Sequence, residues 1–138
     1  MYQPLIDAMR DYLDAGVTMD LDRLDARYDD EFENLRVDQA GQVVRLTKEQ
    51  FMSRFVAMKA QGQAMEPADD ATFPATTLFG DFGTVIMRRE KNGKPTLYAF
   101  TWRMADGKPT TILREFTFDD DLTYLIQIMA AASAAAQK

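Results

Sequence analysis

Between Thr84 and Phe118 the chain alternates apolar and polar residues in three runs, joined at Asn92-Gly93 and at Asp106-Gly107. A period of two makes strands, and both dipeptides accept the positive φ of a type I′ turn, so the stretch predicts an antiparallel meander with a defined register. Two-residue turns set Met87 opposite Tyr98, and Tyr98 opposite Glu115. One face then carries Val85, Met87, Tyr98, Phe100, Trp102, Met104, Leu113 and Glu115. The other carries Ile86, Leu97, Ala99, Thr101, Ile112, Arg114 and Phe116, with Arg88 and Arg103 among its members. The first, more aromatic face is expected to meet helices. The second is too apolar for water and is expected to be covered by another subunit.

Before the meander the period changes. Leu5, Ile6, Met9, Tyr12 and Leu13 fall on one side of a helix over residues 4–15, with Pro4 in its first turn and Gly16 at its end. Asp20 is placed to cap a second helix over 21–28. Residues 31–37 and 43–46 read as strands about a Gly41-containing turn. Thr47 and Gln50 form a capping box for a third helix that runs to about Ala60, burying Phe51, Phe55 and Met58 with Met52 and Val56 beside them. Residues 61–71 are polar and read as a loop able to lie over a mouth; 72–79 begin the sheet as an edge strand, since Pro74 cannot donate to a ladder. After Phe118, Asp119-Asp120-Asp121 reads as a helix cap rather than a metal site, ahead of Leu122, Leu125, Ile126 and Met129 at helical spacing. Residues 130–136, rich in alanine, have little to bury and are expected to fray.

Composition narrows the chemistry. The 138 residues form one expected domain, with a core over 1–118 and an extra C-terminal helix over 119–138. Neither Cys nor His occurs, which excludes thiolate and imidazole catalysis and the metal sites built on those ligands; no metal or cofactor is expected. Asp20 and Asp22 lack the Gly and Glu of a calcium loop. A net charge of −6 argues against nucleic acid and anionic membranes as partners. The charge is uneven: Arg88, Arg89, Lys91, Lys94, Arg103, Lys108 and Arg114 stand in the meander against only Glu90 and Asp106. Complementary pairing within the protein or across a dimer is the favoured account. No stretch is long and apolar enough for a bilayer and no signal pattern opens the chain, so a cytoplasmic location is expected.

The order of elements, together with Asp30-x-Phe32, Gly41-x-Val43 and Leu46-Thr47-Lys48-Glu49-x-Phe51, resembles the nuclear transport factor 2-like superfamily, in texture its lumazine-binding branch. The resemblance covers residues 1–118 and rests on caps, turns and core positions, which carry fold more than activity. It implies an α+β fold: a curved antiparallel sheet wrapped around three helices in the N-terminal half, a cone-shaped cystatin-like roll, plus the short C-terminal helix. It also implies a cavity between sheet and helices, and a homodimer through the outer sheet face. Candidate ligand contacts are Tyr28, Phe32, Met52, Phe55, Met87, Tyr98, Phe100, Trp102 and Glu115. Three functions stay open. The first is a small-molecule-binding homodimer with the ligand against Tyr98, Phe100 and Trp102. The second is an isomerase or dehydratase in which Glu115 or Asp30 takes a proton and Tyr98 or Tyr28 donates to the oxyanion. The third is a dimerisation module with a filled cavity. For Glu115 a structural pairing with Arg36 or Arg45 competes with catalysis, and for Asp29 and Asp30 a solvated loop does.

Overall fold

A computed structural model describes residues 1–91 and 93–136. Asn92, half of one expected turn, lies outside them, as do Gln137 and Lys138 at the end expected to fray. The elements run α1 (Gln3–Val17), α2 (Leu21–Arg27), β1 (Tyr28–Asp38), β2 (Val43–Thr47), α3 (Lys48–Ala60), β3 (Thr72–Phe79), β4 (Phe82–Lys91), β5 (Lys94–Ala105), β6 (Lys108–Asp119) and α4 (Thr123–Ala136). The caps act as their residue types require. Asp20 accepts from the Arg23 N–H at the start of α2, and Thr47 and Gln50 close the box on α3. Pro4 sits in the first turn of α1, and Asp106 and Gly107 both take positive φ between β5 and β6.

The six strands form one sheet in the order β2-β1-β6-β5-β4-β3. Every neighbouring pair is antiparallel except β1 and β6, which run parallel, so the sheet is mixed. α1, α2 and α3 fill its concave side. The approach is close where α1 meets β4: a Cβ on Gly83 would lie 2.9 Å from Leu5 Cδ1, so a larger residue there would have to push the ends of Leu5 and Met104 aside. β3 is an edge strand, which leaves the missing N–H of Pro74 harmless.

Two expectations about β6 are corrected. Met87 does pair with Tyr98, and Ala105 with Lys108, but Tyr98 lies opposite Thr117, and Glu115 lies opposite Phe100. The cause is two bulges, one on each side of the Trp102–Ile112 pair, which insert extra residues of β6 against β5. Ile112, expected outside, is therefore fully buried in the core, while Leu113, expected inside, is half-buried. A two-residue turn sets register only up to the first bulge. Four of the basic residues of the meander find acids on other parts of the monomer: Arg89 with Asp70, Arg103 with Asp29 and Glu31, Arg114 with Glu33, and Lys94 with Asp120.

Candidate functional site

The strand registers arrange the concave face in rows. Near one end Gly83, Trp102, Ile112 and Tyr28 follow one another across β4, β5, β6 and β1; the next row is Val85, Phe100, Glu115 and Asn34. The third is Met87, Tyr98, Thr117 and Arg36. In the last, Arg89 pairs with Thr96 and Asp119 with Asp38. The face thus changes from apolar to polar along the strands.

At the apolar end the side chains fill the space against one another. Tyr28 packs on Phe32 with ring centroids 4.4 Å apart, on Phe51 at 5.5 Å and on Tyr12 at 5.6 Å, while Phe51 meets Phe55 at 5.4 Å. Trp102 is wholly buried and its indole N–H donates to Met9 Sδ at 3.4 Å. The two tyrosine hydroxyls, of Tyr12 from α1 and Tyr28 from the start of β1, share a hydrogen bond of 2.5 Å. Burial pushes both phenols well above the ordinary tyrosine pKa, and the charge of Glu115 adds to this.

Beyond Phe100 the chemistry changes. Asn34, fully buried, donates to Glu115 Oε2 at 2.7 Å and accepts from Arg36 Nε at 2.9 Å, so the carboxylate and the guanidinium are joined through an amide. Tyr98 lies over Phe100, ring centroids 6.3 Å apart and nearly parallel. Burial raises the Tyr98 pKa, as do Glu115 and Asp119, while Arg89 and Arg36 act in the opposite sense. The same region holds two buried side-chain atoms without a hydrogen-bond partner: Arg89 Nε and Asp119 Oδ2. The rest of Arg89 is engaged, its Nη2 donating to the Pro67 carbonyl at 2.9 Å. A narrow cleft of about 20 Å³ reaches Arg89 from between Tyr12, Phe55 and Met65. That is room for about one water.

Of the residues the sequence nominates, Tyr28, Phe32, Phe55, Met87, Tyr98, Phe100, Trp102 and Glu115 are all buried on or against the concave face. Met52 is half-buried and lines an outer groove of about 540 Å³ with Asp25, Asp30 and Lys48. Asp30 is therefore not brought to Glu115 or Tyr98; its carboxylate is exposed, 3.6 Å from Lys48 Nζ. Arg45 pairs with Glu33 at 3.2 Å. Sequence reasoning missed Tyr12, Asn34, Arg89, Thr117 and Asp119 as members of the site. Alternation carried a signal for Arg89, two residues beyond Met87, and for Asn34, two beyond Phe32. Among the described residues no group of acids is arranged to hold a metal ion.

No family model matches this chain, and no curated protein matches it by sequence. Solved structures do match in shape. An NTF2-like protein of unknown function from Silicibacter pomeroyi DSS-3 superimposes with a TM-score of 0.64 at 11% identity, covering 83% of this chain and 92% of that one. Another, from Shewanella baltica OS155, gives 0.61 at 11% identity, covering 84% and 90%. A de novo designed protein with a curved β-sheet gives 0.53 at 18% identity, covering 82% and 97%. The chain has the NTF2-like fold; the narrower likeness to the lumazine-binding branch rests on sequence texture alone. A designed protein with this shape makes the point that curvature and helix packing suffice to produce it, so function has to be argued from the site.

Proposed function

We propose that this protein is a small-molecule-binding protein whose ligand sits at the polar end of the concave face, against Tyr98 with Phe100 beneath it. The observation that carries this is the pair of buried, unpartnered atoms there. Leaving a buried donor or acceptor unmade costs about 1–3 kcal/mol each, so both atoms call for a partner, which a ligand, or water in its absence, supplies. Arg89 Nε offers a donor and Asp119 Oδ2 an acceptor, which suits a flat, neutral ligand bearing both an acceptor and a donor, such as an aromatic amide, for which the one-water cleft beside Arg89 would have to widen.

Crystals soaked with a fragment set of aromatic amides and carboxamides test this. Density beside Tyr98, hydrogen-bonded to Arg89 and Asp119 and lost in the Arg89→Leu and Asp119→Leu variants, is the expected result. A dry, collapsed region in which Arg89 Nε and Asp119 pair with each other or with ordered water, and which takes up no fragment, overturns it.

The binding unit is proposed to be a homodimer joined through the outer sheet face. Ile86, Ala99, Phe116 and Leu35 follow one another across β4, β5, β6 and β1 on that side. Beyond this band Leu97, Phe118 and Val43 are 45%, 51% and 58% exposed. The charged part of the same face, Glu33, Arg45 and Arg114, is already paired within the monomer and leaves the apolar part free to be covered.

A further inference from the structure

A second site lies between α3 and α4 and does not depend on the concave-face reading. α4 has no charged residue from Thr123 to Ala136. Its anchorage is slight: Leu122, just before it, is buried, Leu125, Ile126 and Met129 are half-buried, and Ile128 is 46% exposed. Between this helix and α3 runs a groove of about 440 Å³, in the range of small-molecule pockets, with Leu46, Leu125, Ile128, Met129 and Ala132 as its apolar lining. The cation that lines it is Arg54, whose guanidinium lies 6.0 Å from the Phe51 ring.

Arg54 is in unfavourable company. Burial and the like charge of Arg36 lower its pKa from the ordinary arginine value, and Glu115 acts in the opposite sense. Arg54 is still exposed enough to meet a ligand, and an anion placed on it offsets the repulsion from Arg36. Glu49 also lines the groove, but it stands in the first turn of α3, where the helix N-terminus accommodates its charge, more than a turn before Arg54. An apolar trough with a cation at one position along it fits a ligand with a tail and a single anionic head.

We propose that the α3–α4 groove binds the anion of a medium-chain carboxylic acid, its acyl chain along Leu46, Leu125, Ile128 and Met129 and its carboxylate on Arg54. Tyr98 takes no part.

Calorimetric titration of the full chain with decanoate, octanoate and decanol, below their micelle or solubility limits, is the test. Decanoate is expected to bind, and octanoate to bind roughly fifteenfold more weakly, since each of the two missing methylenes is worth about fourfold. Decanol, without the charge-assisted hydrogen bond, is expected to bind about tenfold more weakly than decanoate. Arg54→Gln should erase the difference between decanoate and decanol while both still bind, and Arg54→Lys should restore part of it. Ala132→Trp, at an exposed position of α4, should fill the trough and abolish binding of both at an unchanged melting temperature. Tyr98→Phe should leave decanoate affinity as it is. The proposal is overturned by decanoate and decanol binding alike to the parent, by decanoate binding that survives Ala132→Trp or is lost in Tyr98→Phe, or by no uptake below millimolar decanoate.

Discussion

Two phenols buried in an apolar interior would each cost free energy if left alone, and Tyr12 and Tyr28 avoid this by bonding to each other. Tyr12→Phe leaves the Tyr28 hydroxyl without its partner and should cost about 1–3 kcal/mol; the double change to Phe should cost no more than either single one, because no orphan remains. Urea unfolding of the three variants measures this, and strictly additive losses would refute the pairing. The pair also sets an alkaline limit. Because burial raises both folded-state pKa values above the unfolded one, their contribution is complete below about pH 10 and declines as pH rises through the folded values. Stability curves of the parent should therefore fall steeply above about pH 10, and the double Phe variant should lose this steepness. Glu115 is the residue the sequence located but could not interpret. Alternation places it on the aromatic face, but its partner Asn34 comes from a parallel neighbour some eighty positions away, and no local pattern encodes that pairing.

Elements with local signals were legible and those depending on distant contacts were not. The box on α3, the Asp20 cap and the Asp106-Gly107 turn are written within four residues and were readable. The bulges in β6 interrupt an unbroken alternation and answer to the packing of Trp102 and Ile112, so the sequence misplaced Ile112 and Leu113. α4 was legible as a helix, but not its fastening. Asp38, at the end of β1, accepts from the Leu122 N–H at 2.9 Å and from the Gln42 N–H at 2.8 Å, tying the first hairpin to the start of α4. The Leu122 hydrogen bond leads the effects that hold the Asp38 pKa below the usual carboxylate value. A lowered folded-state pKa means that the tie is intact above the usual carboxylate range, near pH 4, and is lost as pH falls through the depressed value. The protection factor of the Leu122 amide, taken against its intrinsic exchange rate at each pH, should fall over that acidic window, and in Asp38→Asn it should be low already at neutral pH; equal protection in parent and variant would remove the carboxylate from the account. Packing gives a second check on the same element. Leu122→Ala should cost about 2–5 kcal/mol, whereas ending the chain after Ala130 should cost less than about 0.5 kcal/mol, because residues 131–135 are exposed.

At the scale of the molecule, the parallel pairing of β1 with β6 lets the first hairpin extend a meander formed much later in the chain, and the sheet so completed has two unlike faces. The inner one is filled by helices. The outer one is divided: its charged part, around Arg103, Arg114, Glu31 and Glu33, neutralises itself, and its apolar part, around Ile86, Ala99, Phe116 and Leu35, is only half-buried. This division was half legible, since alternation identified the apolar residues of β4 to β6, while Leu35 and Val37 joined them only once the parallel pairing was known. A self-paired charged zone beside an uncovered apolar one favours a second copy of the chain over a charged partner. A stable pair needs roughly 1,200–2,000 Å² of total buried area, which this side of a six-stranded sheet is wide enough to supply. Sedimentation at micromolar concentration should therefore give twice the 15.7 kDa chain mass. Phe116→Arg, in the middle of the band, should shift the equilibrium toward monomer by at least tenfold, since it sets a cation against a desolvated apolar surface. Thr101→Arg, beside Arg114, should weaken association by a smaller factor because it lies toward the charged part. Ile128→Arg, on α4 and away from the outer face, should leave the dimer intact. A parent chain that sediments as a clean monomer, or a dimer that dissociates on Ile128→Arg but not on Phe116→Arg, would move the interface off the sheet.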